Sequence, residues 1–177
     1  MVRMLFVCSA NRIRSPYAAA VASEFAVAQG LPVVATSAGF GPEGLPAMNH
    51  MVAVARKEGI DLGGHRSRRL TGTLLGDSDL ILTMTGQHVL DLADIDRGAL
   101  GRALTIREAA TAAMGEGAPS WNAQEVRNWA ATAADRPLDG LLSGFTDVDD
   151  PVGASRRVHR RTATELRELL GRLFQVD

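Results

Sequence analysis

The chain has 177 residues, of which 46% are hydrophobic and 22% charged, so it can bury a sizeable core and we expect one domain over 1–177. Its net charge of −1 argues against a general nucleic-acid binder, because such domains are usually basic. Two basic runs, HRSRRL (65–70) and SRRVHRR (155–161), are interpreted as solvated faces, since runs of like charge usually are.

The sequence also limits the compartment and the redox chemistry. No apolar run approaches the roughly 20 residues that span a bilayer. Charge follows the short apolar start at once, so we expect a cytoplasmic protein without a membrane span or signal peptide. Cys8 is the only cysteine, which excludes an internal disulfide and a CxxC redox or zinc pair. A lone cysteine in an intracellular chain is either an inert core residue or a nucleophile.

Short apolar runs bounded by turn residues predict four β-strands, at 1–8, 32–39, 78–85 and 102–109. Ser15 and Pro16 predict the N-cap and first turn of a helix that ends at Gly30. Helical patterns also cover 47–59 and 153–174. Strands that alternate with helices indicate an α/β protein whose parallel sheet is covered on both faces.

The segment at about 110–146 differs from the rest, because it is rich in Ala and Gly and has no strand signal. Residues 122–134 predict one helix with Trp129 on its apolar side. We interpret the segment as an excursion from the sheet rather than a second domain. A lid, a dimer contact and a disordered loop are all open as its role.

The stretch VCSANRIRSPY (7–17) predicts a phosphate cradle with a nucleophile at its base. It leaves the first strand at the sheet edge where ligands bind, and it feeds a helix N-terminus, which favours anions. The nucleophilic form of cysteine is the thiolate, which helix N-termini and arginines stabilise. Backbone N–H groups of 9–14 can converge on phosphate oxygens, Arg14 can add a bidentate fork, and Ser15 can donate its hydroxyl to the Cys8 thiolate. A bare C-x5-R pattern alone is not specific.

A phosphatase of this kind also needs a general acid for the leaving oxygen. The run DVDDPVG (147–153) supplies Asp150, which Pro151 biases towards an extended loop just ahead of the last helix. Taken alone, an Asx-type turn is the commoner explanation of such a residue.

Together these motifs resemble the low-molecular-weight protein tyrosine phosphatase family, whose loop reads C-x-G-N-x-C-R-S-P and whose acid lies in a D-P loop. The resemblance covers almost the whole chain except about 112–146. It rests on Cys8, Asn11, Arg14, Ser15 and Pro16, on Asp150 and Pro151, and on TSAG (36–39), KEGIDLGGHRSRRLT (57–71), SDLILTMTGQH (78–88) and LTIREA (104–109). It implies a three-layer αβα sandwich with a four-stranded parallel sheet of order 2-1-3-4.

The resemblance also implies a role for each matching residue. Cys8 is the nucleophile that forms a phosphocysteine, Arg14 the phosphate clamp, and Asp150 the acid and then the base. Asn11 holds a left-handed conformation that is locked by Ser15, Ser37 and His65. The implied partners are a phosphorylated protein and an oxyanion in the loop, with no cofactor and no metal. The implied phosphate-binding set is Ser9, Ala10, Asn11, Arg12, Ile13, Arg14 and Ser15.

Three residues of the loop depart from the family pattern. Ala10 replaces its glycine, which costs roughly 1–2 kcal/mol if the backbone there needs a positive φ. Ile13 replaces a second cysteine that protects the nucleophile in many members, so Cys8 has no local resolving partner. Arg12 either adds positive charge to the pocket wall or points to solvent, and solvent is favoured.

The substrate preference of the family is only partly carried over. The tyrosine-selecting aromatic residues after the D-P are absent, and Val152 and Gly153 occupy their positions. Related bacterial members with glycine there act on phosphotyrosine or phosphoarginine. Phe40, Leu45 and Trp121 are candidate pocket walls, although plain packing is the commoner role for such residues.

We therefore predict a cysteine-dependent phosphatase that hydrolyses phosphotyrosine-type phosphomonoesters. Three alternatives stay open: a phosphate-binding module with impaired turnover, a phosphoarginine phosphatase, and a single-cysteine arsenate reductase that uses an external small thiol.

Overall fold

The computed structural model describes residues 1–176, in which four parallel strands form one sheet of order β2-β1-β3-β4. The strands are β1 (Val2–Cys8), β2 (Val33–Gly39), β3 (Leu80–Thr83) and β4 (Ala103–Thr105). The helices are α1 (Arg14–Ala28), α2 (Asn49–Lys57), α3 (Gly72–Gly76), α4 (Gly86–Leu92), α5 (Ile106–Glu116), α6 (Ala123–Ala133) and α7 (Arg156–Phe174). Two 3₁₀ segments lie at Arg97–Arg102 and Leu138–Ser143. The predicted sheet order is confirmed.

The two faces of the sheet bury separate apolar clusters, because side chains alternate along each strand. Met4, Phe6 and Cys8 of β1 face a cluster that takes residues from α1, α2, α5, α6 and α7. Leu5 and Val7 face the opposite side, where α3, α4 and the 3₁₀ segments pack. The predicted three-layer αβα sandwich is therefore confirmed. No helix within residues 1–176 is long and apolar enough to cross a bilayer.

Two predicted boundaries are wrong. The fourth strand ends at Thr105, because Thr105 and Glu108 form a capping box that starts α5 inside the predicted strand 102–109. The first helix begins at Arg14, so the N-cap position belongs to Ile13 and not to Ser15. Pro16 still lies in the first turn, where a missing N–H costs no helical hydrogen bond.

The segment 110–146 is largely helical and packs against the sandwich. Its first residues continue α5, and α6 confirms the helix that was predicted over 122–134. Trp129 is half-buried and packs against the core, as its place on the apolar side predicts. Leu141 of the following 3₁₀ segment is buried in the cluster beneath α4.

The contact between this 3₁₀ segment and α4 depends on a glycine. A Cβ atom at Gly86 would lie 2.0 Å from the Leu141 carbonyl oxygen and 2.7 Å from the Leu141 carbonyl carbon. The Gly86 N–H also donates to Asp147 Oδ1 at 2.8 Å. The start of α4 therefore contacts both the 3₁₀ segment at Leu141 and Asp147, and so positions the chain that precedes Asp150.

We predict that Gly86→Ala lowers the free energy of unfolding by about 2 kcal/mol or more, because the added methyl must push the backbone at Leu141 away. Chemical denaturation measures the change. Gly76→Ala is the matched control, since a Cβ at Gly76 meets no atom within 4 Å. Equal stability of the two variants would contradict the close approach at Gly86.

Candidate active site

The loop from Cys8 to Arg14 joins the C-terminal end of β1 to the N-terminus of α1, as the sequence predicts. Cys8 is 3% exposed at the start of this loop. Its Sγ atom lies 3.0 Å from Ser15 Oγ and accepts a hydrogen bond from the Asn11 backbone N–H at 3.3 Å. Both groups lie where they can direct a hydrogen at the sulfur.

Asn11 fixes the shape of the loop. It is fully buried and has a left-handed backbone, with φ at 52°, a region that asparagine tolerates better than most residues. Its Nδ2 donates to Ser15 Oγ at 2.9 Å, and its backbone carbonyl accepts from His65 Nε2 at 2.7 Å. Asn11 Oδ1 accepts from the Arg68 backbone N–H at 2.8 Å. Ser15 and His65 therefore both contact Asn11 directly.

Ser37 does not join this network. It lies in β2, opposite Phe6 of β1, and its carbonyl accepts a hydrogen bond from Arg68 Nη2 at 3.1 Å. Within residues 1–176 no hydrogen bond connects the Ser37 side chain to Asn11. The expectation for Ser37 is corrected, because the main chain of Arg68 fills that position.

Gly39 is a further site residue. It belongs to the motif TSAG (36–39), but the sequence alone assigned it no role. A Cβ atom there would lie 2.6 Å from the Cys8 carbonyl oxygen and 2.7 Å from the Asn11 nitrogen. No real side chain fits at those distances. The glycine lets β2 approach the loop closely enough to hold it.

Arg14 is oriented by groups from both ends of the chain. It is 2% exposed; its Nη1 donates to the Val148 carbonyl at 2.9 Å and its Nη2 donates to Ser9 Oγ at 3.3 Å. Nη2 also forms an ion pair with Asp150 Oδ2. The fold therefore brings the predicted acid and the predicted clamp into direct contact, across 136 positions of sequence.

A cavity of about 190 Å³ opens above Cys8. Its lining residues are Cys8, Ser9, Ala10, Arg12, Ile13, Arg14, Met48, Asp150 and Val152. Phe40, Leu45 and Trp121 do not line it, and Trp121 instead stacks on Phe174 with ring centroids 4.6 Å apart. Beyond the loop the walls are the apolar Met48 and Val152 and the Asp150 carboxylate, and none of them is aromatic.

The three unusual loop residues have distinct environments. Asn11 and Gln175 are the non-glycine residues with positive φ in 1–176, so Ala10 bears no left-handed strain. Ile13 is buried against the core at the N-cap position of α1. Arg12 is half-buried and its Nε donates to the Pro46 carbonyl at 2.8 Å, so its guanidinium is tethered beside the cavity that it helps to line.

His88 is a further site residue to which the sequence assigned no role. Its Nε2 lies 3.0 Å from Ser9 Oγ, and its ring stacks on Phe40. Burial, together with the nearby positive charge of Arg14, lowers the pKa of His88 to about 4. The sequence could have indicated His88 only by its position, because it follows β3 at the sheet edge that carries the loop.

We predict that His88 makes stability depend on pH between its ordinary pKa of 6.5 and its lowered pKa of about 4. The unfolded chain binds a proton in this range and the folded chain does not. The contribution of His88 to the free energy of unfolding is therefore complete above pH 6.5, and the free energy of unfolding falls by roughly 3 kcal/mol on acidification to pH 4. Urea denaturation at several pH values should show that His88→Gln removes this component. An unchanged slope in the variant would contradict the lowered pKa.

Similarity to known proteins agrees with this geometry. The sequence model of the low molecular weight phosphotyrosine protein phosphatase family matches residues 3–114. A protein-arginine-phosphatase of Bacillus subtilis (strain 168) is 30% identical over 171 residues, which cover 96% of this chain and 93% of that protein. A probable low molecular weight protein-tyrosine-phosphatase of Ralstonia solanacearum, EpsP, is 44% identical over 85 residues, 47% of this chain and 55% of that protein.

Solved structures of other proteins share the fold of this chain. The crystal structure of a low molecular weight protein tyrosine phosphatase from T. tengcongensis aligns with a TM-score of 0.75 at 31% sequence identity, and the alignment covers 99% of each chain. The family match covers more than half of this chain and includes the whole Cys8–Arg14 loop. The chain belongs to the low molecular weight phosphotyrosine protein phosphatase family.

Proposed function

We propose that the protein hydrolyses phosphomonoesters of protein substrates through a phosphocysteine on Cys8. One observation carries the proposal: Cys8 Sγ, with Ser15 Oγ and the Asn11 N–H beside it, lies at the base of a cavity that the Arg14–Asp150 pair also lines. A nucleophile, a cationic clamp and an acid thus share one site.

The reaction has two balanced steps. Cys8 thiolate attacks phosphorus, the S–P bond forms, and the bond from phosphorus to the leaving oxygen breaks while Asp150 gives that oxygen its proton. Asp150 carboxylate then takes a proton from water, the water oxygen bonds to phosphorus, and the S–P bond breaks to release phosphate and the thiolate. Ser15 stabilises the thiolate on leaving, because Asn11 Nδ2 already donates to its oxygen and its own proton can point at sulfur.

Arg14 supports both steps. Its contact with the Val148 carbonyl keeps the guanidinium plane fixed, so its remaining N–H groups can bind phosphoryl oxygens as a fork. A phosphoryl group at Nη2 competes with Asp150 for that position, and the carboxyl group then becomes available to the leaving oxygen. The backbone of residues 9–14 supplies the other donors to the phosphoryl group.

The lining of the cavity supports phosphotyrosine as the proposed substrate. Ile13, Met48 and Val152 offer apolar contact to an aryl ring, and the Arg12 guanidinium at the wall suits an electron-rich ring or an anion. The leaving group is a phenol oxygen, whose proton Asp150 supplies. Ala10 adds only a methyl group and no strain, so the loop has no evident reason to be a mere phosphate-binding module.

Phosphoarginine is a second candidate, because the B. subtilis protein-arginine-phosphatase matches nearly the full length of this chain. The charge of the cavity weighs against it. Phosphoarginine carries a positively charged guanidinium next to its phosphate, and Arg12 would lie close to that group.

We predict that the enzyme hydrolyses p-nitrophenyl phosphate without added metal and that Cys8→Ser abolishes turnover, because the serine hydroxyl is not ionised at neutral pH. Asp150→Ala should lower kcat by about 10²- to 10⁴-fold, the usual contribution of a general acid. Initial rates across pH measure both effects. Asp149→Ala is the matched control, since Asp149 is the adjacent residue and its side chain is 85% exposed. Phosphate that protects the wild type against melting while no turnover occurs would instead favour a binding module.

We predict a higher kcat/KM for a phosphotyrosine peptide than for a phosphoarginine peptide of the same sequence. Arg12→Ala should narrow that ratio by about tenfold, because the repulsion of the phosphoarginine cation is removed. Phosphate release from both peptides provides the measurement. Arg97→Ala is the control, because Arg97 is exposed and does not line the cavity. A wild-type preference for phosphoarginine would overturn the tyrosine assignment and leave the phosphocysteine mechanism in place.

A further inference from the structure

A second cavity, of about 170 Å³, lies between α2 and the first turns of α7. We call it the basic cleft, and its lining residues are Ala53, Val54, Lys57, Glu58, Arg156, Arg157 and Arg160. Four of these residues are cations and one is an anion. Three of the arginines come from the basic run at 155–161, which the sequence alone favours as a solvated face.

Among the described residues 1–176, the four cations of the basic cleft have no anionic partner. Glu58 is already engaged, because its Oε2 accepts hydrogen bonds from the Tyr17 hydroxyl and from Arg167 Nε. Within residues 1–176 the side chains of Lys57, Arg156, Arg157 and Arg160 form no ion pair and no hydrogen bond. The cleft therefore presents uncompensated positive charge at a concave surface.

The position of these charges opposes the stability of α7. Arg156 and Arg157 are its first two residues, its first turn has no acidic residue, and Ser155 makes no side-chain cap. The N-terminus of a helix carries partial positive charge, so cations there are unfavourable and an anion would be favourable. A bound anion resolves this conflict, whereas no contact within the described chain does.

The basic cleft and the catalytic cavity are separate, but both take lining residues from α2 or its N-cap and from α7 or the chain just before it. Met48 and Val152 line the catalytic cavity, and Lys57 and Arg156 line the basic cleft. Between the two, His50 Nδ1 donates to the Ala154 carbonyl at 3.2 Å. Met48 and Lys57 are roughly 13 Å apart along α2, at 1.5 Å per residue. An extended peptide covers that distance in about four residues.

We propose that the basic cleft binds acidic side chains of the substrate protein, three to five residues away from the phosphorylated residue. The occupant is assigned by charge complementarity and by the short distance along α2 to the catalytic cavity. The identity of the occupant rests on the proposed phosphatase function. The cleft then contributes to KM for protein substrates and not to the chemical steps at Cys8.

The test compares phosphotyrosine peptides that carry three glutamates, either before or after the phosphorylated residue at this spacing, with alanine analogues. We expect one glutamate placement to raise kcat/KM about tenfold through a lower KM, an advantage that 0.5 M salt removes. Arg156→Glu/Arg157→Glu should lose that advantage and keep its activity on p-nitrophenyl phosphate. The melting temperature should stay equal or rise, because the new charges suit the helix N-terminus, so unfolding cannot explain the loss.

Arg56→Glu/Arg97→Glu is the matched control. It makes the same change in net charge at exposed residues that do not line the cleft, and it should keep the preference for glutamate. Equal kcat/KM for glutamate and alanine peptides in the wild type, or an equal loss in both double variants, would overturn the proposal.

A binding titration separates this proposal from the proposed function. The unphosphorylated glutamate peptide, labelled with a fluorophore, should bind the wild type and lose affinity about tenfold in Arg156→Glu/Arg157→Glu, whether or not the phosphopeptide is hydrolysed. Binding without hydrolysis of phosphotyrosine peptides would retain the cleft and reject the substrate assignment. Hydrolysis of phosphotyrosine peptides without binding of the glutamate peptide would reject the cleft alone. Binding of a single-stranded oligonucleotide, without binding of the glutamate peptide, would also reject it.

Discussion

The site depends on the left-handed turn at Asn11, which aims the loop at the sulfur of Cys8. A left-handed residue in a buried loop persists only where its surroundings hold it. Here its side chain and its carbonyl bond to Ser15, to His65 and to the main chain of Arg68, while Gly39 lets β2 approach the turn. Loss of the turn would move the Asn11 N–H away from the Cys8 sulfur and would break the hydrogen bond from Asn11 Nδ2 to Ser15.

A second constraint connects the acid to the nucleophile. Arg14 bonds to the Val148 carbonyl and pairs with Asp150, and the Val148 N–H donates to the Met84 carbonyl at 2.8 Å. The acid segment is therefore anchored at the ends of β1 and β3, at one edge of the sheet. Gly86 extends that anchor, because its N–H holds Asp147. The helical segment at 110–146 leads directly into these contacts, so its packing on α4 bears on the acid.

Positive charge is concentrated around the cavity although the chain as a whole carries −1. Arg14, paired with Asp150, and Arg12 both line it, and the basic cleft is a separate site of positive charge. His88, which touches Ser9, stays neutral because burial and Arg14 oppose its protonation. The arginines of the catalytic cavity suit an anionic phosphoryl group. Fold and family alone do not decide the residue that carries the phosphate, because that choice depends on a few wall residues.

Local patterns predicted the covered parallel sheet, the phosphate loop and the acid, because the short apolar runs and the Cys8–Ser15 and Asp150–Pro151 motifs each lie in a short stretch of sequence. Predictions from local patterns were wrong where a contact depends on a segment that is distant in the sequence. Ser15 is not a helix cap since its hydroxyl faces Cys8, and Ser37 is replaced by the main chain of Arg68. Only the tertiary structure decided the contacts of His88 with Ser9, of Gly39 with Cys8 and of Arg14 with Val148, because these partners lie 31 to 134 positions apart and no short motif encodes them.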